Sequence, residues 1–272
     1  MSTPDTSRVA LITGAAQGLG LATAVRLAAD GFHVVMADID AAAAQLAARE
    51  LAAVGHTATP ICVDVTDDGS VAACLETVRA TTGRLDVLVN NAGIISRSPA
   101  ESFESAQWDR ELSVNLGGTM RCSRAAYPLL VAAPAAAVVN LASVGSTFGL
   151  PHRLAYSTAK TGIVGLTRTL AAEWGRVGIR VNAVAPGYMD TAMMQSGLAG
   201  GTLDRERLLM RTPLMRFGRA HEIAAAISFL VSQDASFVTG VLLPVDGGIT
   251  IDGTFHDDRR HREPSPPTEQ EI

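Results

Sequence analysis

The chain has almost no lysine: of its 22 basic residues, all but Lys160 are arginine. Cysteine is nearly as scarce, with Cys62, Cys74 and Cys122 the three present. No two of them are close enough in sequence for a metal knuckle or a redox dithiol, and a sparse, odd count suits a reducing compartment. None of the six histidines forms an H-E-x-x-H or other close ligand pair, so no catalytic metal is expected. The longest apolar run, 127–139, is interrupted by Pro128 and Pro134 and falls short of the ~20 residues that cross a bilayer. The polar start and the short apolar run at 9–12 do not make a signal peptide. A formal charge of −5 excludes a dominant surface for nucleic-acid phosphates. These absences describe a cytoplasmic protein whose partners are neither membranes nor nucleic acid.

What is present is core material. Apolar residues make up 47% of the 272, charged residues 18% and aromatics 4%. Such a chain can bury a large interior, filled mainly by Ala, Leu and Val. Short β-branched runs at 8–13, 33–38, 59–63, 85–89, 137–141, 179–185 and 241–245 predict seven strands. Several are apolar without alternation, as strands covered on both faces should be. Helices are predicted over 19–30, 41–53, 69–81, 104–130, 156–175 and 221–232. The alternation implies one α/β domain over 8–253: a doubly wound Rossmann-type fold with a parallel seven-stranded sheet and helices on both faces. Two segments break the pattern. One, 187–218, is rich in Met and Arg and follows a strand's carboxyl end, so it is expected to form a mobile lid over a ligand. The other, 254–272, is charged and proline-bearing and is expected to be disordered, like the short flexible stretch 1–7.

Chemistry is concentrated at three places. Thr13 to Gly20 form a glycine turn between the first strand and the first helix, where backbone N–H groups and a helix N-terminus can meet a pyrophosphate. A purely structural turn is the alternative. Asp38 ends the second strand, where a carboxylate can accept from adenosine ribose hydroxyls and would repel a 2′-phosphate. No basic residue at 14–20 or 36–48 offsets that repulsion, so NAD is favoured over NADP; the alternative for Asp38 is a helix cap. Then come Ser143, Tyr156 and Lys160. At i and i+4 on one helix, the phenol and the ammonium share a face, and a nearby cation lowers a phenol's ionisation from its usual ~10. Use of the chain's single Lys at this position suggests a compact charge that guanidinium cannot replace.

Together these motifs resemble the short-chain dehydrogenase/reductase family over most of the chain. Thr13-Gly14 through Gly20 resemble its glycine turn, Asn90-Asn91-Ala92-Gly93 its Asn-Asn-Ala-Gly stretch, and Asp64-Val65 its adenine-contacting pair. Asn115, Ser143, Tyr156 and Lys160 resemble its catalytic set, and Pro186, Gly187 and Thr191 its Pro-Gly with a following threonine. The resemblance implies Tyr156 as acid/base, Ser143 as the group that polarises the substrate oxygen, and Lys160 on the nicotinamide ribose. It implies that Asn115 holds a proton-relaying water. It also implies cofactor contacts from Gly14, Gln17, Gly18, Leu19, Gly20, Asp38, Asp64, Val65, Asn90, Asn91, Ala92, Gly93, Pro186, Gly187 and Thr191, and a homotetramer built through the helices at 104–130 and 156–175.

The function expected is NAD-dependent interconversion of a secondary alcohol and a ketone on a free small molecule. A 3-oxoacyl-carrier-protein reductase is the nearest alternative. Against it stand Asp38, which disfavours NADPH, and the uncharged stretch 125–139, where an acidic carrier would need basic groups. A sensor that binds NAD(H) without turnover is more remote, since it would have no need of Ser143, Tyr156 and Lys160. A hydrolase is excluded because Leu141-Ala142-Ser143-Val144-Gly145 lacks the first glycine of a nucleophile elbow. Five methionines at 189, 193, 194, 210 and 215 suggest an adaptable substrate wall, or ordinary packing. His152 is a candidate substrate contact or a solvated loop residue. Arg205, Arg207, Arg211 and Arg216 could bind an anion or pair with Asp204 and Glu206.

Overall fold

The computed structural model describes residues 8–253 except Thr202. Seven parallel strands form one sheet: β1 (Val9–Thr13), β2 (His33–Asp38), β3 (Ala58–Cys62), β4 (Val87–Asn90), β5 (Ala137–Leu141), β6 (Arg180–Pro186) and β7 (Leu242–Val245). Their order is β3-β2-β1-β4-β5-β6-β7. The central strands are apolar throughout because both faces are covered: every residue of β1 and β5 is buried. The two edge strands each carry a proline, Pro60 in β3 and Pro244 in β7. A proline there removes a donor from an unpaired edge, which blunts edge-to-edge association.

Two helical layers close the sandwich. On one face pack α1 (Gly18–Ala29), α2 (Ala41–Ala53) and α9 (Ala220–Val231), with Leu27, Leu51 and Ile227 against Ile12, Met36 and Val139. On the other lie α3 (Asp68–Thr82), α5 (Gly118–Leu130) and α6 (Leu154–Trp174), with Val78, Leu130 and Ala171 against Leu11, Leu88 and Val181. Each fully buried Leu or Ile contributes about 1.5–3 kcal/mol, so strand residues alternating between two such layers leave little freedom of register.

The helix predicted over 104–130 is α4 (Ser105–Leu112), one π-helical turn (Ser113–Gly117) and α5 in succession. The segment 187–218 contains two short helices that periodicity did not show, α7 (Ala192–Ala199) and α8 (Arg205–Met210). The stretches 1–7 and 254–272, expected to be flexible, lie outside the described residues. Strand order reverses between β1 and β4, and open parallel sheets bind ligands beyond the carboxyl ends of strands at such a switch point.

Candidate active site

A cleft of about 740 Å³ opens at this switch point, beyond the ends of β1, β4 and β5. Its floor at one end is the glycine turn. Gly14 and Gly18 take positive φ, 64° and 57°, and a Cβ on Gly20 would sit 2.0 Å from the Gly14 carbonyl oxygen. Only glycine therefore lets α1 start this close to the end of β1. The turn is tied across the switch point: the Asn91 amide donates to the carbonyls of Thr13 (3.0 Å) and Gly14 (2.9 Å). The Thr13 hydroxyl in turn accepts from the Asn91 and Ala92 N–H groups, each at 3.1 Å.

α1 begins without a side-chain cap, whereas α2, α3, α7 and α8 are capped by Asp40, Asp67, Thr191 and Asp204. The uncapped first-turn N–H groups leave the positive end of that helix open to an anion. Asp38 lines the cleft nearby. Its Oδ2 accepts from the Ala16 N–H (2.9 Å) and its Oδ1 from the Asp40 N–H (3.1 Å), so it also fixes the turn. Asp64 and Val65 line the same end. The Asp64 carboxylate is held below its ordinary range chiefly by the Thr66 hydroxyl, with the Thr66 N–H adding to it.

Ser143, Tyr156 and Lys160 meet in the same cleft. Ser143 follows β5, and its hydroxyl accepts from the Gly145 N–H (3.1 Å). α6 starts two residues before Tyr156, which presents both Tyr156 and Lys160 from its first turns. Burial pushes the Tyr156 phenol up, while the Ser143 hydroxyl and then the charges of Arg153 and Arg97 act in the opposite direction. The cation expected to lower the phenol was Lys160. Its Nζ is 5.7 Å from the tyrosine ring centre and donates to the Leu141 carbonyl (2.6 Å), and the charges of Arg153 and Arg97 also favour the phenolate. Lys160 is itself 4% exposed, and burial brings its ammonium down to about 8.

Asn115 sits in the π-helical turn, wholly buried behind the cleft. Its side chain clamps one residue: Oδ1 accepts from the Ile94 N–H (2.8 Å) and Nδ2 donates to the Ile94 carbonyl (2.9 Å). Asn90 was expected to line the adenosine. It is instead buried and donates to Ser123 (3.0 Å) and Asn140 (2.8 Å), while Asn91, Ala92 and Gly93 line the cleft. Asn140 goes on to Thr167, Ser123 to the Thr119 carbonyl, and the Thr119 hydroxyl to the Asn115 carbonyl. The sequence singles out Asn90 and Asn115 but not the chain that joins them, because Thr119, Ser123, Asn140 and Thr167 are unremarkable lone residues there.

Gln17, Leu19, Pro186, Gly187 and Thr191 also line the cleft, and Thr191 caps α7 by accepting from the Met194 N–H (3.4 Å). Of the methionines at 187–218, Met189 and Met194 reach the cleft and are buried, while Met210 and Met215 are exposed. Arg207 pairs with Asp204, and Arg216 with Glu222. His152 is exposed and is absent from the cleft lining. Among the described residues no helix is long and apolar enough to cross a membrane.

Comparison with known proteins agrees with this arrangement. The family described as enoyl-(acyl carrier protein) reductase matches residues 14–250. Cis-4-hydroxycyclohexanecarboxylate dehydrogenase of Sinomonas cyclohexanicum is 44% identical over 89% of this chain and 96% of its own. The chain belongs to the short-chain dehydrogenase/reductase family. A 3-oxoacyl-[acyl-carrier-protein] reductase of Thermotoga maritima is 36% identical over 90% of this chain and 98% of its own. The crystal structure of gox2181 superimposes with a TM-score of 0.87 at 35% identity, covering 90% of this chain and 96% of the other. Dehydrogenases and reductases of this family are oxidoreductases, and so is this chain.

Proposed function

We propose that this short-chain dehydrogenase/reductase interconverts a secondary alcohol and a ketone on a free small molecule, with NAD(H) as cofactor. The observation that carries the reading is the convergence of Ser143, Tyr156 and Lys160 in one cleft with the uncapped start of α1 and Asp38. The residues fit a dinucleotide. Glycines at 14, 18 and 20 leave room over the α1 N-terminus for its pyrophosphate. Asp38 accepts from its ribose and repels a 2′-phosphate. Asp64 and Val65 flank the adenine, Asn91, Ala92 and Gly93 line the adjoining wall, and Pro186, Gly187 and Thr191 fix the carboxamide. Bound nicotinamide supplies the hydride acceptor or donor.

The chain's own groups manage the proton. In alcohol oxidation the Tyr156 phenolate takes the carbinol proton; in ketone reduction the phenol returns it. Ser143 donates to the substrate oxygen and holds it against the phenol. Lys160, steadied by the Leu141 carbonyl, binds the nicotinamide ribose. Both polar atoms of the Asn115 side chain are engaged by Ile94, so its contribution runs through its backbone carbonyl. That oxygen accepts from Thr119 and keeps a second lone pair for a relay water. The segment 187–218 closes over the site and excludes water.

The relative from Sinomonas is named for a hydroxycyclohexanecarboxylate, a ring alcohol that also carries a carboxylate, which supports the small-molecule alcohol. The family description and the Thermotoga relative favour acyl-carrier substrates instead. Against that reading stand Asp38 and the absence of charge over 125–139. We further propose a cytoplasmic homotetramer that covers Met120 and Val131, which a single chain leaves exposed on and just after α5. Tyr156→Phe tests the chemistry: turnover falls by roughly a hundredfold or more while NADH titration by fluorescence is unchanged. Turnover within a few-fold of the parent would remove Tyr156 from the mechanism.

A further inference from the structure

The cleft contains a cationic pair whose charges bear on the Tyr156 phenol but whose hydrogen-bond donors the acid/base chemistry does not use. Arg97 lies on the loop after β4 and Arg153 on the loop before α6, and both line the cleft beside Ser143 and Tyr156. The two loops are joined: the Ser98 N–H donates to the His152 carbonyl (3.1 Å), and Ser98 and Arg153 form an isolated parallel bridge. The join holds His152 at φ 62°, a left-handed conformation that costs a non-glycine residue about 1–2 kcal/mol. The backbone is thus strained immediately before Arg153.

Arg153 is half-buried, and its one hydrogen bond among the described residues runs from Nη1 to the Pro151 carbonyl (3.0 Å). A guanidinium carries five donors. No carboxylate forms an ion pair with it among the described residues. Glu111, the buried acid on this side, accepts at Oε1 from the Ser96 N–H (2.6 Å), and its charge reaches Tyr156, but it forms no ion pair with Arg153. Burial and the like charge of Arg97 both disfavour the Arg153 cation. Arg153 has donors to spare, and with Arg97 beside it in the same lining the two guanidinium groups can share one anion. The wall around the pair carries the Tyr188 phenol, which Arg153 acts on, together with the apolar Leu150, Met189, Met194 and Leu203, and Arg110 also lines the cleft. The cleft's acids, Asp38 and Asp64, belong to the other end, on the loops after β2 and β3.

We propose that Arg97 and Arg153 form a carboxylate subsite, so that the substrate is a secondary alcohol or ketone carrying a carboxylate on an apolar body. This rests on the dehydrogenase reading above. Arg153 immediately precedes α6, three residues before Tyr156, and both line the cleft, so the carboxylate is held near the phenol.

The test separates binding from chemistry. Levulinate and methyl levulinate are titrated calorimetrically into NADH-loaded Tyr156→Phe, alone and combined with Arg153→Gln, Arg153→Lys or Arg97→Gln. Unchanged NADH titration shows that each variant is folded. The acid is expected to bind roughly tenfold or more tightly than the ester, with the ratio lost in Arg153→Gln and partly kept in Arg153→Lys. Equal binding of acid and ester, or an acid preference that survives both glutamine substitutions, overturns the subsite. Turnover of hydroxy acids and their esters by the unsubstituted enzyme then isolates the parent reading. Acid-selective binding with no nicotinamide-linked turnover upholds the arginine pair and removes the dehydrogenase assignment. Turnover that ignores the carboxylate, together with unselective binding, does the reverse.

Discussion

Lys160 illustrates how a single residue records a functional demand against stability. Its ammonium is buried, has one carbonyl as hydrogen-bond partner, and is pushed down to about 8 from the ordinary 10.5. The folded chain without cofactor therefore binds this proton less tightly than the unfolded chain does. Where the unfolded state holds more protons, stability rises with pH. The penalty from Lys160 is thus fully present below about 8 and is relieved as pH rises toward the unfolded value. Denaturation of the cofactor-free protein and of Lys160→Met, compared from neutral to about pH 10, should show the difference shifting toward the parent by about 2–3 kcal/mol. A difference that is flat with pH would mean the ammonium is not desolvated. At this scale the sequence was informative, because one lysine among 22 basic residues already marked the position. Spacing pairs Lys160 with Tyr156, and the folded chain adds Arg97 and Arg153, which also bear on the phenol.

Among the elements, the π-helical turn between α4 and α5 is concealed in the sequence. Apolar periodicity predicts one unbroken helix over 104–130, since a single widened turn hardly disturbs a 3.6-residue pattern. π-turns are rare and occur frequently at functional sites. Here the turn carries Asn115, whose amide satisfies both backbone groups of Ile94 just after the Asn-Asn-Ala-Gly stretch. Asn115→Ala would leave that N–H and carbonyl unpaired in a half-buried setting. We expect a loss of about 2–4 kcal/mol in urea denaturation, with Thr119→Val, which spares the clamp, costing about 1 kcal/mol. Equal losses would show that the clamp contributes no more than the Thr119 hydroxyl. α7 and α8 were also missed in the sequence, for a different reason. Eight and six residues are too few to display a helical period, and their start signals are single caps, Thr191 and Asp204.

On the scale of the whole molecule, the strands and the major helices could be read directly. Strands covered on both faces have to be apolar throughout, and each connecting helix has to carry a stripe facing the sheet. All seven strands fall within three residues of their expected bounds, and their parallel order follows from βαβ connections. That order brings together residues as distant as Gly14 and Tyr156. Substrate choice was far less legible, because the cleft's apolar wall and its arginines come from loops whose conformations no periodicity encodes. The reaction proposed for this cleft is oxidation of a secondary alcohol with NAD. The most direct measurement follows nicotinamide absorbance with NAD and with NADP, across secondary alcohols, hydroxy acids and 3-hydroxyacyl thioesters. We expect turnover of an alcohol or hydroxy acid with NAD, at least roughly tenfold favoured over NADP by the Asp38 carboxylate, and lost in Tyr156→Phe. Activity confined to NADP and acyl thioesters would contradict it.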